Sequence, residues 1–442
     1  MTHDDLLDAA LAAAASAGAD AADSMVSERH ALDIGWRLGA LEELERKEGR
    51  ELGLRVFVDG RTATGATTLL DPASIRELAQ DLVASARLLP EDPWAFLASP
   101  DEVAKEIPDL DLDDPAEPAV EQLMRMAETC EAAIRAVPGV AKAEAQAWWG
   151  RLHLRLGTSN GFRGSFHRSG WSVTGEALAG SGTAMERDWA YRRTTHGTDL
   201  PEPEVIGREA GERVVRRLGP RKVDTCQVPI VFEPRVAAAF AGHITGAISG
   251  EAIANRRSFL QERLGERIAA LGITVVDDPL RRRGVGSRPF DAEGIACRTR
   301  RIVDAGVLTT WLLDLSTAKR LGLASTGHAT RDPAAMGRPG PTNLVIEAGT
   351  LSPQELMADI RAGLYVTELI GSGVSTVTGD YSRGAAGFWI ENGEIAYPVS
   401  EITIAGNLST MLQQMTPAYD LEIRGERDAP TIRIDGMTVA GR

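Results

Sequence analysis

Apolar positions recur along this chain at two periods, and the switches between them sketch its elements. Residues 4–17 place apolar residues at helical spacing and predict an amphipathic first helix. From 23 to 70, short β-like runs alternate with charged turns. Leu52, Leu54, Val56 and Val58 give period two, and Asp59-Gly60-Arg61 reads as a hairpin turn before a strand over 62–70. A helix follows over 71–87, with Asp71 as N-cap and Ile75, Leu78, Leu82 and Val83 on one face. A second helix is predicted over 118–137, closed by Pro138-Gly139. Strands follow over 141–148, 151–156, 162–167, 171–179 and 183–194, punctuated by Thr158-Ser159-Asn160-Gly161 and by Ser-Gly turns. A further helix over 204–218 stops at Gly219-Pro220.

The stretch 233–254 is organised differently. A short strand over 226–232 feeds it, and Val236, Phe240, Ile244, Ala247 and Ile248 form one apolar stripe. Gly242, Gly246 and Gly250 recur every fourth residue and give a second face without side chains. Each glycine inside a helix costs about 1 kcal/mol relative to alanine, so the pattern predicts another backbone packed closely on that face. Ala and Gly dominate, and Phe, Ile and Val are too few for a membrane span. The stretch is expected to be a buried helix with one ionisable side chain, His243, in its middle. A second helix is expected over 258–271, from Leu260, Leu264 and Ile268. Beyond it, strands are expected in 273–279, on both sides of Asp304-Ala305-Gly306, and over 343–347, 363–369, 373–378, 385–391 and 394–398. Asn392-Gly393 is the strongest hairpin signal in the chain.

Composition narrows the possible functions. A chain of 442 residues accommodates two or three domains and ample core. The net charge of −15, with no basic run beyond Arg281–Arg283, argues against nucleic acid as a direct partner. Asp277 and Asp278 are expected to neutralise that run locally. Three cysteines, Cys130, Cys226 and Cys297, lie far apart without a CxxC spacing, which suits a reducing cytoplasm. The acidic front of the N-terminus is opposite to a signal peptide. Over 100–121 the apolar stripe vanishes among acidic residues and prolines, predicting a linker that Ile107, Leu110 and Leu112 anchor to the surface.

The expected class is α+β: N-terminal α/β units, then a β-rich C-terminal domain with a central buried helix. The expected division is 1–99, the linker 100–121, an antiparallel-sheet domain over 122–220, and 221–442.

Residue patterns that carry chemistry are scarce. There is no GxxxxGK[ST], and Gly284-Val285-Gly286 lacks the strand–turn–helix setting of a dinucleotide site. No GxSxG elbow occurs, and HExxH and HExxxH are both absent. His153, His167 and His196 have no ligand spacing and read as surface or hydrogen-bonded histidines. Asp277/Asp278 and Glu391/Glu394 read as caps and surface charge. From the residues alone, no active site is identified.

A resemblance changes this. The segment GDYSRGAAGFWIENGEIAYPVSEITIAGNL, starting at Gly379, closely resembles the TldD/PmbA family. So do DDP (277–279), GSRPFDAEG (286–294), LLDLSTAKRLGLASTGHA (312–329) and PTNL (341–344). The likeness is to the PmbA, or TldE, branch, and RELGLRVFVDGRTATGATT (50–68) extends it to the front of the chain. The resemblance implies a cytoplasmic protein that pairs with a TldD-like, zinc-bearing subunit. The pair would cleave peptides, such as modified-peptide precursors or unfolded antitoxins, in an enclosed cavity.

The TldD branch carries a zinc helix of the form HExxxHxxxGD. Its two histidines and a Cys near the C-terminus hold the metal while the Glu polarises water. Laid over this chain through Gly250 and Glu251, that pattern puts the ligand positions on Ala241 and Gly246 and the base on Gly242. No Cys follows Cys297. The resemblance therefore implies no catalytic residue and no metal in this chain, with zinc in the partner. His243 stands out of register, and His328 occupies a place where the family usually has Asn, its role open.

Two other readings remain: a self-sufficient hydrolase using His243, His328 and carboxylates of the β-rich part, or a regulator linked to DNA gyrase. Peptide binding by strand addition is expected near the Gly-rich run 371–387, with Arg383 and Gly384 as contacts and Gly246 and Gly250 at an interface.

Overall fold

Thr2 opens the first helix with a capping box: its hydroxyl accepts from the Asp5 N–H, and the Asp5 carboxylate accepts from the Thr2 N–H. A computed structural model describes residues 1–441. Helix α1 (His3–Ala17) leads into β1 (Ala21–Arg37), β2 (Ala40–Val58), β3 (Arg61–Thr67) and α2 (Pro72–Leu88). After the linker come α3 (Val120–Arg135), β4 (Val140–Thr158), β5 (Arg163–Ala179), β6 (Glu186–Thr194) and α4 (Pro203–Arg216).

The short runs expected between 23 and 70 are mainly one long hairpin of β1 and β2. Its turn sits at Leu38 and Gly39, both left-handed (φ 51 and 79). A Leu-Gly turn lacks the Asn or Asp that marks such turns in sequence. The breaks expected near 149–150 and 168–170 are likewise absent. Gly150 and Gly170 face each other across β4 and β5, and a Cβ on either would strike the Trp148 indole, at 2.5 and 2.9 Å. These glycines make room for a ring rather than turn the chain.

The six strands form one antiparallel sheet in the order β3-β2-β1-β4-β5-β6. Residues 1–99 and 122–220, expected as separate domains, contribute three strands each and join where β1 pairs with β4 along its length. Each half still has its own core. Leu6, Val26, Leu54 and Ile75 pack around α1 and α2, and Leu123, Ile134, Trp149 and Val214 around α3 and α4.

The linker is anchored by Leu110 and Leu112, which are buried, whereas Ile107 is exposed. Its acidity is used: Asp111 pairs with Arg282 and Arg283, and Asp114 accepts from the Gly197 N–H. Arg282 and Arg283 are thus neutralised by the linker and Asp199, and Arg281 faces Asp428 at 3.9 Å, rather than Asp277 and Asp278.

The C-terminal part begins with β7 (Cys226–Phe232), α5 (Pro234–Ala247) and α6 (Gly250–Ala254). It continues through β8 (Val275–Asp277), β9 (Arg300–Asp304), β10 (Val307–Leu308), α7 (Leu315–Leu321), β11 (Ala329–Thr330), β12 (Arg338–Pro339) and β13 (Leu344–Ile346). Then come α8 (Pro353–Met357), β14 (Ala362–Ile370), β15 (Asp380–Glu391), β16 (Glu394–Asn407), α9 (Leu408–Gln413), β17 (Met415–Pro417), β18 (Arg427–Asp428) and β19 (Ile432–Ala440). One sheet runs β16-β15-β14-β7-β19-β17, and a further pairing of β16 with β19 curls it towards a barrel. A second runs β10-β9-β8-β13-β18. Helix α5 packs on β13 and β18 of the second sheet and β14 of the first. Phe240, Ala241 and Ile244 are fully buried there, so the protein is α+β with a central buried helix, as expected.

Three expectations fail. The helix over 233–254 breaks at Ile248, and Gly250 starts a new turn whose N–H donates to Leu312 O at 2.7 Å. No helix forms over 258–271, because its N–H groups are drawn elsewhere: Gly265 donates to Leu308 O, Ile268 to Gly306 O and Ala270 to Leu412 O. Residues 373–378 form a loop rather than a strand. The Asn392-Gly393 hairpin and the Ala305-Gly306 turn are present, with φ of 51 and 86, and of 45 and 82.

Candidate functional site

Helix α5 turns two unlike faces to its surroundings. Ala241, at one position the family pattern gives to a zinc ligand, is fully buried and offers only a methyl group. Gly242 and Gly246 line the wall of an open cleft of about 510 Å³. A Cβ on Gly242 would meet only Arg427 Nη1 at 3.4 Å, and one on Gly246 only Thr376 Cγ2 at 4.0 Å. The close backbone contact expected for the glycine face is therefore not made within this chain at these two positions. Gly250 differs: a Cβ there would overlap the Thr317 side chain, with Thr317 Cβ at 2.7 Å and Leu313 Cδ2 at 2.9 Å.

His243 sits beside that bare face. Its ring meets Phe240 and Tyr381 edge-on, at 6.1 and 5.9 Å between centroids. Burial first, then the charges of Arg383 and Arg427, pushes its pKa down to about 4, so the imidazole is neutral at pH 7. Its Nε2 is buried and has no hydrogen-bond partner among the described residues, and neither has Tyr381 Oη. Arg383 lies two residues beyond Tyr381 on β15, on the same strand face. Its guanidinium has one hydrogen bond among the described residues, from Nε to Ile370 O at 3.5 Å. Gly384 pairs with Ile370; a Cβ there would crowd Ile370 Cβ at 3.2 Å, so it serves the approach of β14 to β15.

His328 has both ring nitrogens engaged. Nε2 lies 3.0 Å from Asp277 Oδ2, and Nδ1 lies 2.7 Å from Thr326 Oγ1. The other Asp277 oxygen accepts from the Thr342 N–H and hydroxyl at 2.7 and 2.9 Å. The structure makes no contact between His328 and His243.

Two groupings escaped the sequence. Asp23 and Arg55 of the N-terminal sheet meet Arg331 and Glu293 of the C-terminal part in a buried network. Burial, then the neighbouring Asp291, raises the Glu293 carboxyl to about 8, so it is protonated at neutral pH. These partners lie far apart in sequence, and no spacing rule links them. Elsewhere His153 and His167, read as scattered, stack across β4 and β5 at 3.7 Å. His3, Glu28 and His153 each bring one ligand atom within 4.8 Å of the others. Arg50 and Arg155 stand beside them, which opposes a cation there. His196 is hydrogen-bonded, with Nε2 3.0 Å from Asp111 O.

Comparison with known proteins places this architecture. Residues 22–86, 113–218 and 225–441 match, in order, domain 1, the central domain and the C-terminal domain of the PmbA/TldA metallopeptidases. The chain belongs to the PmbA/TldD metallopeptidase family. It is 36% identical over 431 residues to Metalloprotease PmbA of Escherichia coli O157:H7, covering 97% of this chain and 94% of that protein. A Metalloprotease PmbA homolog of Haemophilus influenzae is 34% identical over 434 residues, with 98% and 94% covered. Among solved structures, a Bacteroides thetaiotaomicron protein described as a candidate modulator of DNA gyrase superposes with a TM-score of 0.92 at 28% identity, covering 99% of both chains. TldE of Thermococcus kodakarensis shares the fold, with a TM-score of 0.86 at 21% identity over 99% of this chain and 100% of that one. Among the described residues, no helix is long and apolar enough to cross a membrane.

Proposed function

We propose that this chain is the non-catalytic subunit of a heterodimeric zinc peptidase that acts on peptides in the cytoplasm. The observation that carries the reading is the Gly242–Gly246 face. It lines an open cleft, yet Ala241, Gly242 and Gly246 supply no atom able to hold a metal or activate water. Zinc chemistry then comes from a TldD-like partner with an intact HExxxH helix, and this chain closes the cavity and helps hold the peptide main chain. Peptide maturation is the role proposed for the pair. A self-sufficient hydrolase is less well supported, because both nitrogens of His328 are engaged and His243 has no carboxylate beside it. A direct gyrase-binding role has only a relative's description behind it.

The test is coexpression with a chain carrying HExxxH. The pair is expected to copurify, hold zinc and cleave peptides. The isolated chain is expected to hold no stoichiometric zinc and to cleave nothing. About one zinc per isolated chain, lost on His243→Ala, would overturn the reading.

A further inference from the structure

Arginines in this acidic protein are mostly neutralised by carboxylates, as at Arg55, Arg217, Arg235 and Arg283. Arg383 and Arg427 are among those that are not, as are Arg257 and Arg338, which line the same cleft as Arg427. Among the described residues the Arg427 guanidinium makes no ion pair or hydrogen bond, and that of Arg383 has only its long bond to Ile370 O. Both guanidinium groups act on His243, one from β15 and one from β18. Arg427 reaches to 3.4 Å from the place a Gly242 side chain would fill. Close to them, His243 Nε2 and Tyr381 Oη are both buried and both without a partner among the described residues. Buried polar atoms are nearly always hydrogen-bonded, and an exception points to something the chain is built to receive.

The chemistry of the missing group follows from that inventory. A guanidinium only donates, a phenol donates readily, and a neutral imidazole donates from Nε2 in one tautomer. Two fixed positive charges exclude a cation. The complement is an acceptor with negative charge and at least two oxygens, a carboxylate or a phosphate; on an unmodified peptide it is a carboxylate, which arginine binds with two parallel N–H donors. The bare backbone at Gly242 and Gly246 leaves room beside it for an extended chain.

We propose that Arg383 and Arg427, backed by His243 and Tyr381, form a carboxylate-binding subsite that takes the C-terminal carboxylate of a peptide lying along the Gly242–Gly246 cleft. The inference rests on the peptide reading above and adds a site and a polarity to it: the chain end is anchored in this subunit, so its distance to the partner's metal sets where cleavage falls. Arg383, held by one long bond, turns onto the entering carboxylate, and the buried imidazole and phenol gain an acceptor.

Fluorescence anisotropy on the isolated full-length chain tests this without any zinc chemistry, so failure here is distinguishable from failure of the heterodimer reading. The probes are N-terminally labelled tetra-alanine with a free C-terminus, the same peptide amidated, and an amidated peptide with one internal glutamate. The free acid is expected to bind at least about ten-fold more tightly than either amidated peptide. Arg383→Gln or Arg427→Gln is expected to remove that preference, with thermal unfolding unchanged. Tyr381→Phe keeps the ring and is expected to weaken only the free acid. Equal binding of free and amidated tetra-alanine would overturn the proposal, as would a preference that survives both arginine variants. So would an internal-glutamate peptide that binds as tightly as the free acid.

Discussion

His328 and Asp277 are joined by a buried contact, imidazole Nε2 to carboxylate Oδ2 at 3.0 Å, with His328 2% exposed and Asp277 fully buried. The pair ties the loop after α7 to β8, and Asp277 carries the tie on to Thr342 before β13. The histidine that resembles a candidate ligand in sequence is thereby part of the scaffold that presents the cleft.

The consequence is a stability test. His328→Ala leaves the buried Asp277 carboxylate short of one donor, which costs about 1–3 kcal/mol. His328→Asn, whose amide also donates, is expected to recover a large part of that loss. Urea unfolding of the three proteins checks the order. An alanine variant as stable as the parent would show that the contact contributes nothing.

The two glycines of the cleft region are expected to respond in opposite ways. At Gly250 an added Cβ collides with Thr317, whose hydroxyl and N–H are both held by the Asp314 cap. Gly250→Ala should therefore destabilise the protein by about 1–3 kcal/mol through overpacking. At Gly246 there is open space, and Gly246→Ala should be neutral or stabilising by up to about 1 kcal/mol, since alanine favours helix. Gly246→Leu is then expected to leave folding intact while blocking whatever enters the cleft from outside this chain. Its readouts are thermal unfolding, copurification with the zinc-bearing partner and peptide turnover. Unimpaired assembly and turnover in that variant would show that the face receives nothing.

How much of this was legible in the sequence depends on whether the cause was local. The cap at Asp71, the Asn392-Gly393 turn and the strand β7 are fixed by neighbouring residues. The long β1–β2 hairpin was hidden because Leu38 turns the chain where an Asn is usual. The stretch 258–271 has helical spacing, yet tertiary bonds to Gly306, Leu308 and Leu412 take its N–H groups. Spacing singles out the glycine stripe but does not fix its meaning. The same period yields a packed contact at Gly250 and an open wall at Gly246. The cluster of His243, Tyr381, Arg383 and Arg427 draws on three elements; the sequence singles out His243 in its helix and Arg383 in its glycine-rich setting, but nothing in it joins them to Tyr381 and Arg427.

Glu293 makes stability depend on pH. Its folded pKa is raised from 4.5 to about 8, so the folded chain holds a proton across that interval that the unfolded chain has released. The stabilisation is fully present below about pH 4.5 and is lost as pH rises through about 8, with a slope of at most about 1.4 kcal/mol per pH unit. Carboxylates with lowered values, such as Asp188, lose their contribution only in more acidic solution and do not shape this window. Glu293→Gln keeps a neutral group that can accept from the Leu315 N–H, as Glu293 does at 2.8 Å. The variant is expected to unfold with a flatter dependence between about pH 5 and about pH 8. Parallel curves for the two proteins would show that Glu293 does not hold that proton.

Arg383 supplies the test closest to function. Its guanidinium acts on His243 of α5 and, among the described residues, has only one long hydrogen bond to spend on its own fold. Loss of its guanidinium should therefore cost the protein little stability. In the proposed heterodimer, Arg383→Ala is expected to lower peptide turnover about ten-fold, equivalent to about 1.4 kcal/mol. Assembly and the partner's zinc content should not change. Arg383→Lys keeps the charge but not the two-pronged donor and should recover only part of the loss. A rise in KM with kcat preserved would place the contact in substrate binding. A fall in both kcat and kcat/KM would place it in the transition state. Turnover unchanged in the alanine variant would assign the peptide groove to the partner subunit alone, and collapse of the complex would make Arg383 a brace of the β14–β15 edge.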